Sequence, residues 1–295
     1  MNDFLQALVN PQVPFIRYAL IAGVISSIPF GCIGSFVVVK RMSYIAGAIS
    51  HAVLGGIGMA LFFQSVFGVK WLSPLVGAFI FAVLAAFILS FIVIYSKERV
   101  DSVIGTIWAL GMSIGLLFMA RTPEYVDPMS YLYGNILLVG KNELFLITIL
   151  NIFIMVFCLI FYQQLLAVAF DQEYAEIKGL NTAFYQILLI VLIAVTVVLM
   201  ITIIGIIMVI ALLTIPAAIS SLFAKKLWHM ILTSVFLCIV FTVFGLATSY
   251  MVKLPTSSVT IIIIGIFYFF ILILNSFFSA YGKKLTKIKF FFINM

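Results

Sequence analysis

The chain has 295 residues, of which 65% are hydrophobic and 8% charged, with a mean hydropathy of +1.34. No soluble domain can hide that much apolar side chain, so the composition excludes one and predicts a polytopic membrane protein. The net charge of +7 does not signal nucleic-acid binding, because most basic residues fall at the breaks between apolar runs.

Met1–Leu5 carries no basic run before the first apolar segment, so the sequence predicts no cleaved signal peptide. The first apolar run, Pro14 to Val39, stops at Lys40-Arg41. The second, Met42 to about Gln64, holds His51 on a face with Gly47 and Gly55 four residues to either side and Gly58 nearby. His51 is the one ionisable residue the pattern puts deep in hydrocarbon. A neutral imidazole on a strip almost without side chains can meet a neighbouring helix or a small solute. It is a candidate metal contact, and the plain alternative is a buried His with glycines serving close packing.

The third run, about Ser73 to Tyr95, ends at Ser96-Lys97-Glu98-Arg99, and the fourth runs from Asp101 to Arg121. Residues 122–142 are too polar to span and predict a loop with a short interfacial helix, its tyrosines at headgroup depth. The fifth run covers Glu143 to Leu166. A polar segment follows, Phe170 to Asn181, with alternating charge and helical character. Residues 183–223 are too long for one span and divide near Thr202–Gly205 into a sixth and a seventh helix. The seventh contains Thr214, expected to bond back to its own helix, and Pro216, expected to kink it. The eighth runs from Trp228 to Tyr250, and the ninth from Ser258 to Phe278 before a basic tail. The pattern therefore predicts an all-α polytopic protein with about nine transmembrane helices, residues 1–295 forming a single transmembrane domain.

Orientation follows from charge. With the N-terminus outside, Lys40, Arg41, Lys97, Arg99, Lys178, Lys225, Lys226 and the four tail lysines all face the cytoplasm, as the positive-inside rule asks. None of the nine acidic residues falls near a predicted midplane. That argues against a proton- or sodium-driven carrier and against an intramembrane enzyme. No P-loop, HExxH or GxSxG motif is present, so the chain has no visible means of hydrolysing a nucleotide, and no cofactor is expected. Cys32, Cys158 and Cys238 stand singly in apolar runs as small buried hydrophobes.

Several blocks, each weak alone, become specific by their order and spacing. They are Gly34–Ser43, Ser50-His51-Ala52, Asp101–Gly105, Met129–Gly134, Phe170–Gly179 and Ile210–Ala218. Through them the chain resembles, along nearly its whole length, the membrane permease subunit of bacterial zinc/manganese ATP-binding-cassette importers. The resemblance implies a type II ABC-importer-like fold in the bacterial inner membrane. It also implies a permease homodimer, a cytoplasmic ATP-binding-cassette ATPase that binds the ATP, and an extracytoplasmic metal-binding protein. By composition alone, Phe170–Asn181 reads as a solvated connector. The resemblance makes about 168–182 the ATPase coupling segment, with Phe170, Asp171, Glu173, Tyr174, Glu176 and Gly179 as its candidate contacts. It associates His51 with the metal path. Helical packing, for its part, is the reading for Gly47, Gly55, Gly58 and Pro216.

Two departures stand out. Many relatives carry Asp four residues before this His, where the chain has Gly47. The family's Leu-Pro-x-Gly turn reads Leu254-Pro255-Thr256-Ser257. A neutral nitrogen without the hard oxygen ligand favours Zn²⁺ as cargo over manganese or iron. An energy-independent metal channel or carrier, and a purely structural membrane scaffold, are the readings from other classes.

Overall fold

The computed structural model describes residues 14–95, 100–134 and 139–293, together with Phe4, Gln6, Leu8 and Ile136. The expected loop Ser96–Arg99 and the first residues, Met1–Asp3, lie outside the described residues.

Among the described residues the chain is all-helical. Pro14 opens α1 (Pro14–Val39), where its missing N–H costs nothing. Arg41, at φ 56°, ends it: Met42 N–H donates to Val37 and Arg41 N–H to Val38, so a left-handed residue closes the carbonyls of the last turn. Helix α2 (Ser43–Phe67) ends at the left-handed Gly68, and Pro74 opens α3 (Pro74–Tyr95). Helix α4 (Val100–Arg121) carries Asp101 in its first turn and Arg121 in its last, both matched to the helix dipole. The polar loop contains the short helix α5 (Pro128–Tyr133), capped by Asp127 through the Met129 N–H.

The expected fifth helix is divided. Helix α6 (Lys141–Ile160) ends at Phe161, whose φ of −99° and ψ of 15° leave the helical region, and α7 (Tyr162–Phe170) follows at once. Neither Pro nor Gly marks this break in the sequence. Helix α8 (Gln172–Ile177) and α9 (Thr182–Ile204) come next, and the division of the long apolar run falls at Gly205, φ 88°. Helix α10 (Ile206–Ser221) contains Pro216. Helix α11 (Leu227–Val252) and α12 (Thr256–Ile293) complete the order, so the last helix continues past the predicted end at Phe278.

Seven of these helices are long and apolar enough to cross a membrane: α1, α2, α3, α4, α6, α11 and the Thr256–Phe277 part of α12. Two further apolar stretches, Thr182–Val198 and Ile206–Ser221, are shorter. The expectation of about nine spans thus meets seven that satisfy length and composition among the described residues. Helix α9 itself runs 23 residues, and Gly205 separates it from α10 where the sequence reading divides the long run.

Helix α2 is the spine. Its neighbours α3 and α4 approach it through glycine, and α1 packs against α11 and α10. At Pro216 the ring removes the donor that Leu212 O would have used, and the Cys238 thiol of α11 donates to that carbonyl at 3.5 Å. Thr214 bonds back to Ile210 O at 2.7 Å, as its position in an apolar helix predicts. At the far end from α8, the Ser257 hydroxyl is shared between the Tyr133 carbonyl and the Ile204 carbonyl, the latter at 2.9 Å. It joins the ends of α5 and α9 to the start of α12.

Candidate functional site

His51 sits in the buried middle of α2 with 7% of its surface exposed. Its ring lies parallel to the Trp108 indole of α4, with centroids 4.2 Å apart and planes 16° from parallel. The His51 Nδ1 atom is buried and has no hydrogen-bond partner. A buried unpaired ring nitrogen costs free energy unless something else takes it up. Trp108 is 37% exposed, so the pair lies at the edge of the core, with the indole between imidazole and surroundings.

The strip around His51 is occupied by helix packing. A side chain at Gly47 would meet the Trp108 ring at 3.2 Å, and one at Gly55 would reach the Gly111 carbonyl at 3.0 Å and the Phe81 ring at 3.1 Å. One at Gly58 would strike the Gly115 main chain, with Cα at 2.8 Å. On the other side Gly56 faces Gly77 of α3, main chain against main chain. The sequence reading left two visitors open for this strip, a helix or a small solute. In this structure two helices occupy it, and the His51 ring meets an indole. Trp108 is a residue that sequence reasoning missed. Its one signal is an indole in the middle of an apolar helix, and nothing local says which histidine it covers.

The second candidate region is the α7–α8 segment. Asp171 caps α8 by accepting from the Tyr174 N–H at 2.9 Å, and Glu176 accepts from the Thr182 hydroxyl at 2.7 Å. Gly179, φ 79°, ends the helix, with its N–H donating to Glu176 O and the Leu180 N–H to Ala175 O. These three residues therefore shape the segment. Phe170, Glu173 and Tyr174 point outward, and Ile177 joins them at 84% exposed, an apolar side chain the sequence reading left out. Lys178 lies over the Tyr174 ring at 5.6 Å. At the opposite end of α1 from its start, burial lowers the pKa of the Lys40 ammonium.

The ABC 3 transport family model matches residues 12–275. The chain belongs to this family. It is accordingly a membrane component of transport rather than an enzyme. A protein of Chlamydia trachomatis named as a probable metal transport system membrane protein is 34% identical, covering 90% of this chain and 91% of that one. A manganese transport system membrane protein, MntC, of Listeria innocua is 30% identical over 90% of this chain and 92% of its own. Among solved structures, PsaBC from Streptococcus pneumoniae in complex with Fab matches with a TM-score of 0.80 at 29% identity, covering 92% of this chain and 94% of that one. Family membership thus accounts for the polytopic helical fold and for the lack of any nucleotide-hydrolysing motif.

Proposed function

We propose that this chain is the permease subunit of an ABC importer that carries a divalent metal ion into the cytoplasm, working as one transmembrane domain that pairs with a second copy. A separate cytoplasmic ATPase would drive it through the 168–182 segment, and an extracytoplasmic binding protein would deliver the ion. The observation that carries the metal reading is the free Nδ1 of buried His51, in a chain whose relatives bear metal-transport names. His51 acts as a transient ligand on the path, which suits a conduit that must release its cargo. Trp108 covers the ring and must turn aside for an ion to reach it.

Zinc is the cargo that the donor set favours, since Gly47 supplies no carboxylate beside the imidazole. Manganese is the second reading, favoured by the names of relatives such as the Listeria protein. Pairing of two copies is supported by Ser102 and Ser113 on the exposed side of α4, because lipid is a poor neighbour for unpaired hydroxyls. The N-terminus lies outside and the C-terminus in the cytoplasm, which puts Phe170, Glu173, Tyr174 and the Lys225-Lys226 turn where an ATPase can reach them. On this reading α9 and α10 also cross the bilayer and bring the count to nine, with Gly205 between them.

Uptake of zinc and of manganese by cells expressing the wild-type, His51→Ala and His51→Asp chains tests this, with the cognate ATPase and binding protein present. Loss of uptake in His51→Ala with the complex still assembled is the expected result. A gain of manganese over zinc in His51→Asp is expected as well. Unchanged uptake in His51→Ala would remove His51 from the path. No uptake of either metal by the wild-type chain would remove the metal reading itself.

A further inference from the structure

A groove of about 650 Å³ runs between α7–α8 and the start of α11, and the metal path makes no use of it. Leu166, Phe170 and Tyr174 line one side, and Lys225, Lys226 and Trp228 the other. The lysines are exposed, and neither has a hydrogen bond or ion pair from its side chain among the described residues. One carboxylate, that of Asp171, also lines the groove, and against the two ammonium groups it leaves the lining net positive.

The depth of the groove in a bilayer follows from the chain. Lys225 and Lys226 stand immediately before Leu227, the first residue of a 26-residue candidate span. Trp228, 48% exposed, sits at the end of that span, where an indole is at home among headgroups. A small soluble anion would engage the ammonium groups and leave the Leu166–Phe170 wall bare. A phospholipid satisfies both, with its phosphate between the two lysines and an acyl chain along the apolar wall.

We propose that this groove binds an anionic phospholipid, its headgroup phosphate held by Lys225 and Lys226 and its chain lying against Leu166 and Phe170. The bound lipid joins the α10–α11 turn to the wall formed by Phe170 and Tyr174, so its presence governs how firmly the α8 segment is held. This last consequence rests on the coupling role given to that segment above, whereas the binding itself does not.

The test uses the chain in nanodiscs of phosphatidylcholine alone or with added phosphatidylglycerol. Retained lipid is read by native mass spectrometry, and ATP hydrolysis is read on the complete importer. Wild type should keep phosphatidylglycerol in preference to phosphatidylcholine. Lys225→Gln/Lys226→Gln should lose that preference on the order of tenfold, while Lys70→Gln, an exposed lysine far from the groove, should keep it. Inorganic phosphate should not displace the lipid. Hydrolysis should rise with phosphatidylglycerol in wild type and not in the double variant. Equal retention of the two lipids by wild type, or undiminished preference in the double variant, would overturn the proposal. So would loss of the ATPase from the double variant in phosphatidylcholine alone, which would assign the lysines to the partner protein. If the lipid preference holds and hydrolysis ignores it, the site stands and its coupling consequence falls.

Discussion

Helices α2 and α4 are about equally apolar, yet α2 is largely buried and α4 largely exposed. Both bear glycines at helical spacing. In α2 they face two ways, Gly55 and Gly58 towards α4 and Gly56 towards α3, so the helix is enclosed. In α4 Gly111 and Gly115 make one seam with α2, whereas Gly105 has nothing within 4 Å of where a side chain would begin. Between helices in lipid, burial is decided by close backbone approach rather than by apolarity, since lipid tails are as apolar as leucine. Small residues on two sides make a spine, and on one side an outer helix.

The sharpest way to break this comparison is to fill one seam and one bare face. Gly58→Leu forces atoms into the Gly115 main chain and should cost about 3 kcal/mol or more, seen as loss of folded monodisperse protein in detergent. Gly105→Leu should leave folding intact by the same measurement. Equal damage from both would sink the claim that the two faces differ.

Next in size is Trp108→Ala, which strips the indole from His51. Because Trp108 is partly exposed, the expected loss is about 1–2 kcal/mol, below the usual cost for a fully buried Trp. Its clearer sign is faster acylation of the His51 ring by diethylpyrocarbonate, located by peptide mass spectrometry. An unchanged rate would mean that Trp108 does not shield the ring.

Ser257→Ala should cost about 1–2 kcal/mol, since two carbonyls at helix ends lose their shared donor. The thermal midpoint in detergent should fall, and an unchanged midpoint would show that both carbonyls find other partners. Smallest of all is Thr242→Val. The Thr242 hydroxyl is buried without a partner, and its methyl lies over Gly23, so the isosteric Val should change stability by less than about 0.5 kcal/mol. A clear loss would reveal a partner for that hydroxyl.

Much of the helix order was legible because apolar runs here end in plain punctuation. Lys40-Arg41 closes α1, the polar stretch 122–142 holds the short α5, and Gly205 divides the long run. The break at Phe161 was not legible, because an aromatic residue continues a helix as readily as it ends one and tertiary packing chose otherwise. His51 announced itself as a lone ionisable group in apolar sequence. Trp108 did not, because which indole covers which imidazole depends on the register of α4 against α2. That register is set by glycine contacts whose partners lie more than fifty residues apart. The α7–α11 groove was hidden for the same reason, with Tyr174 and Lys226 meeting only once α9 and α10 have carried the chain back.

The thiol of Cys238 offers a use beyond its packing. Because Pro216 frees Leu212 O and Cys238 takes it up, the strength of that sulfur hydrogen bond depends on how α10 lies against α11. The S–H stretch absorbs in a region of the infrared spectrum clear of amide bands, and it moves with hydrogen bonding. Isotope-edited difference spectra would therefore follow any shift of α10 against α11 through a transport cycle without an attached label. The seam between these two helices carries its own gauge.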